Sequence, residues 1–122
     1  MYLAVIIAIL SLIKSIDLNE EKPLIQEIML PKIIVEGQTV RLNCALIQGS
    51  SVNFEWLFNG EKLRENAKRR IKLSDDSSEL IIKQVSVDEL GEYRCVAFNR
   101  NGKDAQTVSL LVNGKPLWQF EG

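Results

Sequence analysis

The chain contains no histidine, the side chain that most often serves as a general base or a metal ligand. Its two cysteines cannot complete a four-ligand zinc site by themselves. Without histidine no Ser/His or Cys/His nucleophile pair can form, and no glycine-rich phosphate loop is present. The sequence therefore has no positive feature of an enzyme, and we expect neither catalysis nor a cofactor.

An excess of one charge is also missing, as is a second long apolar run. Fifteen basic and 16 acidic side chains leave a net charge of −1 on 122 residues, whereas binding to nucleic acid needs a concentrated basic surface. After the N-terminal segment, no apolar run reaches the roughly 18 residues of a membrane span. We predict one domain, with no nucleic-acid partner and no membrane span in this chain. No Asn-x-Ser/Thr sequon occurs, so N-glycosylation is not expected.

The N-terminus carries one apolar run, at residues 3–13. The run is too short for a membrane span and fits the hydrophobic region of a secretory signal peptide. Ser15 is small enough to precede a cleavage site, although no basic residue precedes the run. A buried N-terminal strand or helix is the alternative. We predict a signal peptide over 1–15, a polar lead-in over 16–22, and a secreted or extracellular location, where disulfides persist. An ectodomain fragment of a plasma-membrane receptor is one form that this location could take.

From Pro23 onward, short runs of alternating apolar residues are separated by turn residues, which predicts an all-β sandwich. Asn59-Gly60 and Asn101-Gly102 indicate tight hairpins, because this dipeptide accepts the positive φ angles of a type I′ turn. Alternation places Leu42 and Leu80 on inward faces. The predicted strands cover residues 23–28, 31–35, 39–46, 52–58, 61–63, 68–73, 79–85, 91–98 and 105–112.

The spacing of four residues is the most specific feature of the sequence. Trp56 follows Cys44 by 12 positions, Cys95 follows Cys44 by 51, and Tyr93 lies two before Cys95. The run over residues 88–102 reads Asp-x-x-Gly-x-Tyr-x-Cys-x-Ala-x-Asn-x-x-Gly. On these motifs the chain, over residues 23–113, resembles the intermediate-set (I-set) immunoglobulin domains of cell-adhesion and axon-guidance receptors. The strings Trp-Leu-Phe-Asn-Gly and Leu-Val-Asn-Gly-Lys-Pro look most like those of Dscam-type adhesion receptors.

The resemblance implies an immunoglobulin-like β-sandwich of two antiparallel sheets joined by one disulfide between Cys44 and Cys95. Free thiols are the alternative. In such domains a Trp on the strand that corresponds to residues 52–58 packs on the bridge, which assigns Trp56 to the core rather than to a ligand platform. Tyr93 becomes the corner tyrosine, whose hydroxyl bonds nearby backbone, rather than a catalytic phenol. The predicted core therefore contains Trp56, Tyr93, Leu42 and Leu80.

The resemblance also implies an ion pair. In similar domains the Asp of the motif pairs with an Arg at the start of the strand that corresponds to residues 68–73. Here that Arg is Arg70 or Arg69. We predict the pair Asp88–Arg70, with a catalytic role for Asp88 as the alternative. The basic cluster 68–72 could meet heparan sulfate or acidic head groups, but a solvated edge strand is the simpler interpretation.

Leu57, Val96 and Phe98 fall by alternation on the outer face of the sheet that contains the two hairpins. If they are neighbours, they form an apolar patch suited to a protein partner; partial burial under a loop is the alternative. Residues 114–122 read as a C-terminal linker or tail. Within it, Trp118 and Phe120 could cover an edge, dock on a further domain, or end a truncated chain.

The predicted function is extracellular protein–protein recognition in cell adhesion or axon guidance, without catalysis. The partner would be a homophilic or heterophilic cell-surface protein. One alternative is a free soluble secreted binding protein of the immune or ligand-capture type. A third is an intracellular muscle-type structural domain, which requires that the N-terminal run is not a signal peptide and predicts reduced thiols.

Overall fold

The computed structural model describes residues 21–111, which form eight strands and one 3-10 turn at Val87–Glu89. The predicted signal peptide and the C-terminal tail with Trp118 and Phe120 lie outside the described residues. The strands are β1 (Leu24–Ile25), β2 (Val40–Gln48), β3 (Asn53–Phe58), β4 (Glu61–Lys62), β5 (Arg69–Leu73), β6 (Ser77–Ile82), β7 (Gly91–Asn99) and β8 (Gly102–Leu110).

The strands form two four-stranded sheets, with the order β1-β2-β6-β5 in the first and β4-β3-β7-β8 in the second. Every pair of neighbouring strands is antiparallel. The predicted all-β sandwich of two antiparallel sheets is therefore confirmed. The β3–β4 hairpin turns at Asn59 and Gly60, which have φ angles of 50° and 86°, as a type I′ turn requires.

The disulfide crosses between the sheets, because Cys44 lies on β2 and Cys95 on β7. Their Cα atoms are 6.4 Å apart. Alternate residues on both strands are fully buried around the bridge, as period-two alternation with one inward face dictates. The inward residues of the two strands are Val40, Leu42 and Cys44 on β2 and Tyr93, Cys95 and Ala97 on β7.

Trp56 and Ser78 make a second connection beside the disulfide. Trp56 is the cross-strand neighbour of Cys95, and Ser78 is the cross-strand neighbour of Cys44. The indole Nε1 of Trp56 donates a hydrogen bond to the Oγ of Ser78 at 2.9 Å, and both side chains are buried. The one polar atom of the indole ring is therefore satisfied inside the core.

The predicted strand over residues 31–35 is absent from the structure. Pro31 has no N–H to donate, and the far end of the segment is closed into a turn. There the N–H of Val35 donates to Oε1 of Gln38 at 2.9 Å, and the N–H of Gln38 donates to the carbonyl of Val35 at 3.1 Å. Local hydrogen bonds thus replace a ladder at the end of this segment.

Strand β8 begins at Gly102, three residues before the predicted start at residue 105. Pairing between β7 and β8 continues to Asn99 opposite Gly102, so only two residues form the turn. The predicted hairpin is present, but Asn101-Gly102 is not its two-residue type I′ turn, because Gly102 is already the first residue of the strand.

The free edge of β5 is covered by side chains from the loop before it. Oε1 of Glu65 accepts the N–H of Ile71 at 2.8 Å. Oδ1 of Asn66 accepts the N–H groups of Lys68 and Arg69, each at 2.8 Å. These acceptors occupy edge donors that another chain could otherwise pair with, so this edge is blocked against strand addition.

Candidate functional site

The outer face of the second sheet is the candidate binding surface, and cross-strand register sets its rows. Leu57 on β3 lies opposite Arg94 on β7, and Val96 on β7 lies between Glu55 and Ala105. Arg94 and Val96 are two residues apart on β7, so Leu57 and Val96 are diagonal neighbours on one face, about 7–8 Å apart. Both side chains are half-buried.

Leu57 and Val96 line one open concavity of about 490 Å³. Arg94 and Lys103 also line it and supply positive charge, while Asp104 is held by its own chain, because its Oδ2 accepts the N–H of Ile25 at 2.9 Å. The concavity thus combines aliphatic with charged side chains, as protein interfaces commonly do. The complete lining is Leu57, Arg94, Val96, Lys103, Asp104 and Ala105.

Phe98, the third residue of the predicted patch, does not line this concavity. Its side chain is 38% exposed and lines a separate apolar groove of about 260 Å³. That groove also contains Phe54, Ile71 and the exposed Leu73. The predicted patch of three residues is therefore two surfaces, of which only the concavity combines Leu57 and Val96.

The ion pair at the corner before β7 is not the predicted pair Asp88–Arg70. Asp88 and Arg70 are both exposed, and the ion pair at this corner joins Lys68 to Glu89 instead. Successive residues of a 3-10 turn point about 120° apart, so Asp88 and Glu89 cannot both face the core. Glu89 takes the inward position and is 2% exposed, and Oε2 of Glu89 accepts a hydrogen bond from Ser86 at 3.0 Å.

Register explains why Arg70 does not reach this corner. On β5, Arg70 lies opposite Ile81 on the outer face, whereas Arg69 lies opposite the buried Ile82. Lys68, directly before the strand, reaches the carboxylate of Glu89. The motif could have indicated Glu89 as the residue at this corner, because Glu89 lies four residues before Tyr93. The hydroxyl of Tyr93 donates a hydrogen bond to the carbonyl of Glu89 at 2.6 Å.

A stack of one cation and two rings closes the same corner. The guanidinium carbon of Arg69 lies 4.4 Å from the ring centre of Phe58, and the Phe58 and Tyr93 ring centres are 4.7 Å apart. Burial raises the pKa of the Tyr93 hydroxyl from 10.0 to about 12; nearby Arg69 partly opposes this rise and Glu89 adds to it. The corner therefore stabilises the neutral phenol.

Within residues 21–111, no cluster of three or more His, Cys, Asp or Glu side chains could hold a metal ion. The same stretch contains no helix with the length and apolar character needed to cross a bilayer.

The model of the immunoglobulin I-set domain matches residues 23–112. The chain belongs to the immunoglobulin I-set family. Like this chain, the Ig7 domain of Dscam1 (isoform 5) has the I-set sandwich: it superposes with a TM-score of 0.69 at 27% identity, covering 75% of this chain and 97% of that domain.

Curated relatives of this I-set chain include adhesion and muscle proteins. Neural cell adhesion molecule 1 of Bos taurus is 34% identical over 80 residues, covering 66% of this chain and 9% of that protein. Hemicentin-1 of Mus musculus is 32% identical over 102 residues, covering 82% and 2%. Muscle M-line assembly protein unc-89 of Caenorhabditis elegans is 28% identical over 99 residues, covering 81% and 1%. The chain thus spans less than a tenth of the length of each of these relatives.

We expect Lys68→Met to destabilise the domain by about 3 kcal/mol, because it leaves the buried Glu89 carboxylate without its counter-charge. This value is at the lower end for breaking a buried ion pair, since the Lys68 side chain is 39% exposed. Arg70→Met is the matched control and should change the free energy of unfolding by less than about 0.5 kcal/mol. Urea denaturation measures both variants. Equal losses would contradict the assignment of the ion pair to Lys68 and Glu89.

The raised pKa of Tyr93 predicts a loss of stability at high pH. The folded state holds the phenol proton more tightly than the unfolded state, so this contribution is complete below pH 10 and disappears as the pH rises towards 12. Between these values the free energy of unfolding should fall by roughly 2–3 kcal/mol more in the wild type than in Tyr93→Phe. Urea titrations at pH 9, 10, 11 and 12 provide the measurement. Parallel pH profiles for the two proteins would refute the prediction.

Proposed function

We propose that this chain is an extracellular, non-catalytic protein-recognition module that serves in cell adhesion or axon guidance. The concavity lined by Leu57 and Val96 is the observation that carries the proposal. Two half-buried aliphatic side chains in its lining can be desolvated by a partner, and Arg94 and Lys103 beside them can select a partner by charge.

The disulfide and the adhesion relatives support an extracellular location. A buried bridge between Cys44 and Cys95 forms and persists in oxidising compartments and is rare in the cytosol. The relatives described above include neural cell adhesion molecule 1 and hemicentin-1, and an Ig domain of Dscam1 shares the fold. A free soluble binding protein would use the same surface and differ only in whether it is anchored.

The muscle relative favours a second candidate function, an intracellular structural domain. The two candidates differ in compartment and therefore in covalent state. Expressed as the full chain in a eukaryotic host, an extracellular module should appear in the medium without residues 1–15. It should also resist alkylation until it is reduced. Intact-mass spectrometry with and without alkylation reads both properties. An uncleaved, freely alkylated intracellular product would replace the recognition proposal with the structural one.

Val96→Asp tests the surface, because it places a negative charge in the lining of the concavity, where a partner would have to desolvate it. Beads coated with the full chain are mixed with identical beads, which detects homophilic binding, and with cultured cells, which detects heterophilic binding. We expect the variant to reduce adhesion by about tenfold or more, which corresponds to 1.4 kcal/mol of binding free energy.

Ile47→Asp is the matched control, since Ile47 is 60% exposed on the other sheet and receives the same new charge. This variant should adhere as the wild type does. Thermal unfolding of both variants verifies that each is folded. Equal adhesion by Val96→Asp and the wild type would remove the concavity as the binding surface, and a wild-type chain that binds neither beads nor cells would overturn the function.

A further inference from the structure

The outer face of the first sheet gathers positive charge that the proposed recognition function does not use. In one row, Arg70 on β5 and Arg41 on β2 lie on either side of Ile81 on β6. In the next row, Lys72 on β5 lies opposite Glu79. The surface defined by Arg41, Arg70, Lys72 and Lys83 is called the basic face below.

Lys83 extends the basic face beyond the end of β6. It lies two residues after Ile81, and therefore on the same side of the strand. Its N–H donates to the carbonyl of Lys68 at 2.7 Å, which continues the pairing of β6 with the chain before β5. Lys83 is fixed by its backbone, while its side chain is exposed.

The positive charges of the basic face are largely uncompensated. Within residues 21–111, no hydrogen bond or ion pair engages the side chains of Arg70, Lys72 or Lys83. The one acidic residue among the outward positions of these three strands is Glu79, which pairs with Arg41 at 3.0 Å. Four positive charges and one negative charge therefore share one face of a chain whose net charge is −1.

The spacing of these charges is fixed by the sheet. Arg70 and Arg41 are two strands apart, which is about 9–10 Å between backbones, and Arg70 and Lys72 are two residues apart, about 7 Å along β5. The loop side chains of Glu65 and Asn66 hold the edge of β5 in place. A rigid array of cations at this spacing fits a linear polymer that carries a strong anion on successive units.

We propose that the basic face binds a sulfated polysaccharide. Sulfate groups stay ionised at every physiological pH, and the planar guanidinium of arginine can donate paired hydrogen bonds to two oxygens of one such anion, as it does with phosphate. Strands β2, β5 and β6 contain no aromatic residue, so the surface lacks the stacking platforms that single-stranded nucleic acid uses. The polysaccharide would lie on the sheet opposite to the protein-binding concavity, so the two ligands could bind together.

The test uses the full chain and immobilised heparin, with Kd measured at several salt concentrations because surface charge pairing is screened by salt. Arg70→Gln combined with Lys72→Gln should raise Kd by about tenfold or more. Lys62→Gln combined with Arg64→Gln is the matched control, since it removes the same two kinds of charge from exposed positions in and just after β4 of the other sheet. It should leave Kd within about twofold of the wild type.

Glu79→Gln provides a gain of affinity that a loss of folding cannot mimic. It removes the one acid of the basic face and releases Arg41, so Kd for heparin should fall by about threefold or more. An equal rise in Kd for the two double variants would show that binding depends on net charge alone, and would overturn the proposal. Binding to desulfated heparin as strong as to heparin would also overturn it, as would stronger binding to phosphatidylserine vesicles or to single-stranded DNA.

Discussion

The covalent bridge between Cys44 and Cys95 is the constraint on which the two sheets depend. It closes a loop of 51 residues, which stabilises the folded chain by about 4 kcal/mol in the chain-entropy model. The cross-strand neighbours of the two cysteines, Ser78 and Trp56, are hydrogen-bonded to each other. The two sheets are therefore connected by a covalent bond and a hydrogen bond at adjacent positions. These connections hold the sheets, and thus the residues on both outer faces, in fixed positions.

Sequence patterns predicted what depends on alternation and on special residues. The inward faces around Leu42 and Leu80, the disulfide and the Asn59-Gly60 hairpin follow from period two, from cysteine spacing and from the φ angles of Asn-Gly. These features are local or are carried by a motif of high specificity. The strand over residues 31–35 was predicted on the same grounds and is absent, because a hydrogen bond from Val35 to the side chain of Gln38 competes with pairing.

Features set by three-dimensional neighbours were harder to predict. Asp88 and Glu89 are adjacent acids, and a strand-like alternation cannot decide between them because they lie in a 3-10 turn. The choice depends on which side of the turn meets the phenol of Tyr93. Phe98 shares the outward phase of Val96, yet it lines a groove at the edge of the sandwich instead of the concavity. Phase along a strand gives the face of a residue, but position within the sheet decides its neighbours.

The division of the basic cluster 68–72 shows why the two faces have different chemistry. Lys68 and Arg69 are used inside the domain, by Glu89 and by the ring of Phe58. Alternation then sends Arg70 and Lys72 outward, where register adds Arg41 from a strand about 30 residues away in sequence. The expected solvated edge strand therefore describes only Arg70 and Lys72, and not Lys68 and Arg69. A cluster that is continuous in sequence is split by the pleat, and strand pairing adds Arg41 to its exposed half, which concentrates positive charge on the outer face of the first sheet.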